Sequence, residues 1–309
     1  MSIKYDGLFI LLKEKNISKT QLQNRLGFSS TTIAKLAKNE PVSMKVIEDI
    51  CNELNCQPGD IMMLENEKSS NRLLEMLQEE KEMKLKGGIY HLTQIKFSYN
   101  SNHIEGSKLS EDQTRYIYET NTIAPEGDEP TRVDDIMETI NHFQCFDYML
   151  EHVNNKISEE IIKKFHEILK SNTSDSRKEW FHVGDYKSRP NIVGDSKTTP
   201  PSKVKGEIAK LIIDYNEKSN ITFEDIVEFH YSFESIHPFQ DGNGRVGRLI
   251  MFKECLKNNI IPLIIEETHK LYYYRGLKEY KSDIGYLTDT CLSAQDRYDD
   301  LMKYFMENE

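Results

Sequence analysis

The sequence has no apolar run near the roughly 20 residues that a membrane-spanning helix needs. Its N-terminal stretch, MSIKYDGLFILLKEKN, carries only a short apolar patch, broken by polar residues at helical spacing and followed by no signal-peptide cleavage site. A cytoplasmic chain with no membrane partner is the expectation. Cysteine is sparse. Cys51, Cys56, Cys145, Cys255 and Cys291 are odd in number, and their spacings fit no zinc or disulfide pattern. Reduced, mostly buried thiols follow from that. Positive charge is also short: the net charge is −11, which excludes a nucleic-acid binder over the whole length. Internal repeats and low-complexity segments are absent.

The positive charge that exists is gathered at one end. From Met1 to Lys45 eight basic residues stand against three acidic ones, a net of +5, so the rest of the 309 residues carries −16. Such asymmetry points to separate segments with separate tasks. In the basic segment Leu8, Phe9, Leu11 and Leu12 give one apolar face. In NISKTQLQNRLGFSSTTIAKLAKN, Ser18 is placed to cap a helix with Leu22 and Leu26 inward, and Gly27 to end it. Ser29 or Ser30 then caps a second helix with Ile33 and Leu36 as its buried pair. Helix, glycine turn, helix is the layout of a helix-turn-helix. Val46, Ile47, Ile50 and Leu54 supply a further amphipathic helix, and Pro58-Gly59-Asp60 a last turn.

This segment, residues 1–64, resembles the lambda-repressor/Cro-like helix-turn-helix domains. The resemblance implies a recognition helix in the DNA major groove, with Ser30, Thr31, Thr32, Lys35 and Lys38 facing DNA. Such domains commonly bind DNA as dimers, so it also implies a homodimer as one arrangement. The plainer alternative is a small bundle that binds protein or dimerises. Residues 65–87 read as a helical linker with a narrow stripe of Leu73, Leu74, Met76 and Leu77. From 88 to 309 the periodicity is helical almost throughout. WFHVGDYKSRPNIVGDSKTTPPSKV breaks it with glycines, prolines and short extended pieces, and predicts a β-hairpin flap.

The stretch HPFQDGNGRVGR, His237 to Arg248, asks for more than a packed core. Pro238 ends the preceding helical pattern of FHYSFESI. Asp241-Gly242-Asn243-Gly244 then opens a new helix, where free backbone amides and the helix dipole favour an anion. Arg245 and Arg248, three residues apart, share one face, so a polyphosphate site is plausible there. Asp241 beside them makes sense as a ligand of a Mg2+ that bridges phosphates. His237 is placed to act as a general base. Each residue alone has an ordinary structural reading; their convergence within twelve residues does not.

The stretch matches every fixed position of the Fic-family signature, and the resemblance extends from Gly88 to the C-terminus. It implies transfer of AMP from ATP to a Tyr, Thr or Ser hydroxyl of a target protein, with release of pyrophosphate. By that resemblance His237 is the base and Asp241 holds Mg2+. Gly242, Asn243 and Gly244 bind the α- and β-phosphates, and Arg245 orients them. Arg248 reaches the γ-phosphate, and Phe239 anchors the loop. Tyr272, Tyr273 and Tyr274 would offer adenine-pocket walls, Tyr273 first among them. The flap, through Lys187, Arg189, Asn191, Ile192 and Val193, would hold the target backbone by strand addition.

FSYNSNHIEGSKLS raises a second question. Glu105 stands at the unfavourable end of a helix for its charge, which asks for a cationic partner elsewhere, and Gly106 is placed as the C-cap. Ser101-x-x-x-Glu105-Gly106 also resembles the inhibitory motif of Fic proteins, on a helix of about residues 90–106. The resemblance implies that Glu105 pairs with Arg248 and takes the γ-phosphate position. In some family members the same glutamate helps remove AMP, so de-AMPylation is one alternative. A DNA-binding regulator with a nucleotide-sensing Fic module is another. The expected fold is mostly all-α: a helix-turn-helix bundle, then a Fic-type helical bundle with a β-hairpin flap.

Overall fold

The computed structural model describes residues 2–15, 17–65, 69–124, 130–194 and 196–306. The chain divides into two compact units, Met1–Ser69 and Ser70–Glu309. The first holds α1 (Asp6–Glu14), α2 (Lys19–Leu26), α3 (Ser30–Ala37), α4 (Met44–Leu54) and the short α5 (Pro58–Ile61). Its helix starts follow their caps. Ser18 and Gln21 form a reciprocal capping box, Ser29 accepts from the Thr32 amide, and Ser43 accepts from the Val46 amide. Gly27, at φ 65°, closes α2 in the left-handed conformation that glycine adopts at least cost. Leu8, Leu22, Leu36, Ile47, Ile50 and Ile61 form the core. One feature of this unit has no counterpart in the sequence reading: β1 (Ser2–Lys4) pairs antiparallel with β2 (Met63–Glu65), Ile3 opposite Leu64.

The second unit begins with α6 (Ser69–Met83). Leu73, Met76 and Leu77 of α6 are buried in the larger core, so this helix is more than the spacer its polar composition predicts. Then follow α7 (Ile89–Ile104), α8 (Glu111–Thr120), α9 (Val133–Glu151) and α10 (Glu159–Lys170). A hairpin of β3 (Ile192–Val193) and β4 (Ser196–Lys197) comes next, with Ile192 opposite Lys197. The unit ends with α11 (Pro201–Asn216), α12 (Phe223–Ile236), α13 (Asn243–Lys257), α14 (Lys270–Glu279) and α15 (Gly285–Met306). Helix α13 is buried on every side from Asn243 to Leu256, and it packs against α7, α9, α10 and α12. Helix α7 is buried nearly as completely, from Ile89 to Ile104. Placing both arginines of the glycine-rich stretch on α13 therefore sinks them into the core of this unit. Cys145, Cys255 and Cys291 are buried, and all five cysteines are free thiols. Among the described residues no helix is long and apolar enough to cross a membrane.

Candidate active site

The site forms where α12 ends and α13 begins. His237 caps α12 with a left-handed backbone (φ 52°), its amide donating to the Phe233 carbonyl at 2.9 Å. Pro238 cannot extend the helix, and Phe239 drops into the core against the His166 ring, centroids 4.0 Å apart. Asn243 locks the loop from the other end: its Oδ1 accepts from the Phe239 amide at 2.8 Å and its Nδ2 donates to the Phe239 carbonyl at 2.9 Å. The Asn243 side chain is thus spent on the loop itself. Gly242, at φ 81°, is the N-cap of α13 and requires the conformation that only glycine takes freely.

Two arginines project from the first turns of α13, and both are buried. Arg245 donates to Glu138 of α9, to Asp241 Oδ2 at 3.2 Å and to Asn102 Oδ1 at 3.3 Å. Lys170, at the end of α10, reaches the same Asp241 oxygen at 2.7 Å and also contacts Glu138 and Asp175. Burial works to raise the Asp241 carboxyl, but Arg245 and Lys170 outweigh it and hold the group well below the usual carboxylate range. Lys170 and Glu138 had no motif to announce them. Lys170 reads as an ordinary basic residue in a last helical turn, and only the packing of α9 and α10 beside α13 brings it here.

Arg248 faces α7. Its Nε donates to Ser101 Oγ at 3.0 Å, and its Nη2 to the Ser101 carbonyl at 2.9 Å and to Glu105 Oε1 at 2.7 Å. Glu105 is the C-cap of α7, and Gly106 follows at φ 102°. The carboxylate lies directly over the first turn of α13: a Cβ on Gly244 would overlap Glu105 Oε1 and stand 2.9 Å from Arg248 Nη1. Glu234, one turn before His237, has a buried carboxyl oxygen. Burial, then the charge of Glu105, pushes Glu234 up to about 8, so it is protonated near neutral pH. Tyr273 is fully buried: its hydroxyl is 2.7 Å from His230 Nε2 and its ring backs the Arg248 guanidinium at 5.8 Å. It holds the arginine from behind, whereas a nucleotide wall needs an open ring face. The sequence reading missed this difference because the three tyrosines in a row carry no sign of which one is inward.

His237 is held neutral. Burial first, then the positive charge of Lys187, lowers it to about 4, against a smaller upward pull from Glu105. The flap residues divide into two sets. Ile192 and Val193 are 65% and 49% exposed and present an open edge. Lys187 and Asn191 turn inward, toward the backbone of the loop bearing His237. Arg189 lies over the Trp180 ring, 4.9 Å from its centroid. On the first unit Ser30, Thr31, Lys35 and Lys38 are exposed along and beside α3, while Thr32 Oγ1 is engaged with Ser29 Oγ at 3.0 Å.

Among the described residues no group of three or more His, Cys, Asp or Glu side chains has the geometry to hold a metal. Asp241 is a single carboxylate, 51% exposed, and one of its oxygens already serves Lys170 and Arg245. That donor set fits a Mg2+ held chiefly by a nucleotide's own oxygens and by water, entering with the nucleotide.

Fold and site together define a mostly all-α protein with two buried arginines on the first turns of a buried helix. Residues 156–255 match the family model described as Fic/DOC family. Residues 8–67 match the Cro/C1-type HTH DNA-binding domain. The chain therefore carries a Fic domain behind an N-terminal Cro/C1-type helix-turn-helix domain. The protein adenylyltransferase fic-1 of Caenorhabditis elegans is 25% identical over 229 residues, 70% of this chain and 43% of that protein. The protein adenylyltransferase Fic of Aedes aegypti is 27% identical over 191 residues, 60% of this chain and 36% of that one. The chain thus spans less than half the length of these curated relatives. A crystal structure of a Fic-domain-containing signaling protein from Bacteroides thetaiotaomicron shares the fold at 22% identity. Its TM-score is 0.64, and the match covers 76% of this chain and 97% of that one.

Proposed function

We propose that this chain is a protein adenylyltransferase that moves AMP from ATP to a Tyr, Thr or Ser hydroxyl of a target protein, and that Glu105 holds it off. The observation that carries this reading is the Glu105 carboxylate, bonded to Arg248 at 2.7 Å over the cradle where a triphosphate's anionic end would lie. His237 takes the proton of the target hydroxyl. The freed oxygen attacks the α-phosphorus, the bond from that phosphorus to the bridging oxygen breaks, and pyrophosphate leaves. The amides of Gly242 to Gly244 and the two arginines supply fixed positive charge, which in phosphoryl-type transfer counts for more than covalent chemistry. Asp241 would hold Mg2+, and the ion would neutralise phosphate charge. Ile192 and Val193 offer an open strand edge to the target backbone.

With Glu105 in place, an ATP that enters is left with its α-phosphate out of line for attack. Isotope position tests the reaction. The Glu105→Gly variant incubated with α-labelled ATP should pass label to protein, and γ-labelled ATP should not. Label arriving from the γ-position, or surviving His237→Ala, would refute the assignment. The exposed α3 residues support a second role for the first unit, in binding DNA, and the two roles are compatible.

A further inference from the structure

The side chain of Lys187 carries more bonds than a docking residue needs. It is buried, and no carboxylate among the described residues pairs with it within ion-pair distance. Its Nζ donates instead to three neutral oxygens: Asn191 Oδ1 at 2.8 Å, Thr198 Oγ1 at 2.7 Å and the Ile236 carbonyl at 3.4 Å. Its backbone amide donates to the Pro238 carbonyl at 2.9 Å. Asn191 Nδ2 continues the pattern by donating to the Phe239 carbonyl at 3.3 Å, and Thr198 Oγ1 donates back to the Asn191 carbonyl at 3.1 Å. Asn191 stands immediately before β3, and Thr198 immediately after β4. Both roots of the hairpin are therefore tied to one ammonium group. Lys187 and Asn191 together reach three of the four carbonyls between Ile236 and Phe239, the segment that carries His237: the ammonium bonds Ile236, the Lys187 backbone amide Pro238, and Asn191 Nδ2 Phe239. Burial alone lowers the Lys187 amine, to about 8. A lysine kept there without a counter-ion is costly unless its three donors are all used.

We propose that Lys187 is a positioning residue, and that with Asn191 and Thr198 it forms a clasp fixing the flap in register with His237. The inference rests on reading β3–β4 as the target-docking edge and His237 as the base. Strand addition is tolerant of sequence and, by itself, also of register. A base must meet its hydroxyl within about 3 Å, and a slip of about 1 Å costs about a hundredfold in rate. The clasp removes that freedom: a segment paired with Ile192 and Val193 is referred to the same frame as the His237 backbone. Left-handed φ at His237 adds to the need, because a non-glycine residue stays in that region only when its surroundings hold it.

The test uses the full chain. Hydrogen exchange is followed in the flap and in residues 236–240 for wild type, Lys187→Met and Lys187→Arg, without nucleotide. The methionine variant should speed exchange in both segments about tenfold, the effect of losing a charged hydrogen bond on local opening, and arginine should restore most of the protection. Asn191→Ala breaks the clasp from its other side and should give the same paired change, should Lys187→Met disturb folding. Faster exchange in the flap alone, or in neither segment, overturns the coupling. In the Glu105→Gly background, self-labelling from α-labelled ATP should fall about a hundredfold with Lys187→Met while ATP affinity by calorimetry stays unchanged. A parallel loss of ATP affinity overturns the positioning role. Absence of label in the Glu105→Gly parent would refute the transferase reading, and the exchange result would still decide the clasp.

Discussion

Replacing Glu105 by glycine should make the protein less stable and more active at once, and the opposed signs are what make the experiment informative. Arg248 is almost wholly buried, and Glu105 is 28% exposed. Removing one partner of a fully buried ion pair costs about 3–5 kcal/mol, because the other charge is stranded. Here the cost is smaller. Arg248 keeps its bonds to Ser101 Oγ and the Ser101 carbonyl, and water reaches the half-open carboxylate side. We expect a loss of about 2–3 kcal/mol, which for a unit of this size lowers Tm by roughly 4–12 °C. Activity moves the other way. On the proposed reading a carboxylate over the first turn of α13 would displace the phosphates, and since a misplacement of about 1 Å costs about a hundredfold, its removal should raise label incorporation from α-labelled ATP by about that factor. Added ATP should recover part of the lost Tm in the variant, since Arg248 regains an anionic partner. Thermal melts and incorporation are measured on the same preparations with and without nucleotide. A glutamate that served only as scaffold would lose stability and activity together, and that result would refute the reasoning.

Three further outcomes follow from the same geometry. With His237 lowered to about 4 by burial and by Lys187, the base stays neutral well into acid. Transfer by Glu105→Gly should thus stay flat down to about pH 5.5, where an ordinary histidine would have lost about nine-tenths of its neutral form; a half-maximum near pH 6.5 contradicts it. Gly244→Ala should cost about 1–3 kcal/mol in the wild-type chain, since its Cβ overlaps Glu105, and clearly less beside Glu105→Gly. Additive losses in urea melts would show that the clash lies elsewhere. On a duplex from upstream of its own gene, Lys35→Ala or Lys38→Ala should reduce the slope of log affinity against log salt by about one each, read by fluorescence anisotropy. An unchanged slope removes those residues from the phosphate contacts.

What could be read in the sequence was whatever is continuous along it. The turn from His237 to Arg248 is one contiguous piece, and so are Ser101 to Gly106 and the caps Ser18 and Ser29. Lys170, Glu138, Glu234 and His230 are absent from any such reading. Each comes from a different helix turn, looks like a solvent-facing polar residue in a list of letters, and acquires its role only from the burial of α13. Tyr273 failed in the opposite sense: its place beside Tyr272 and Tyr274 hid the fact that, of the three, it is the one that is fully buried. Lys187 and Asn191 were visible as members of the flap, but the direction of their side chains depends on a loop some fifty residues later. The β1–β2 pairing involves strands of three residues, too short for alternation to show.

The burial of α7 has a kinetic corollary. A helix enclosed from Ile89 to Ile104 cannot lift away without opening the core of its unit, an event that belongs to the slow end of protein motion. Glu105 lies just past that helix, at the C-cap, with a side chain partly in water. Rotation about its own χ angles suffices to leave Arg248, and side-chain rotation of this kind takes picoseconds to nanoseconds. If Glu105 is the brake proposed above, its release asks for a rotamer change at one side chain and leaves the buried helix behind it in place.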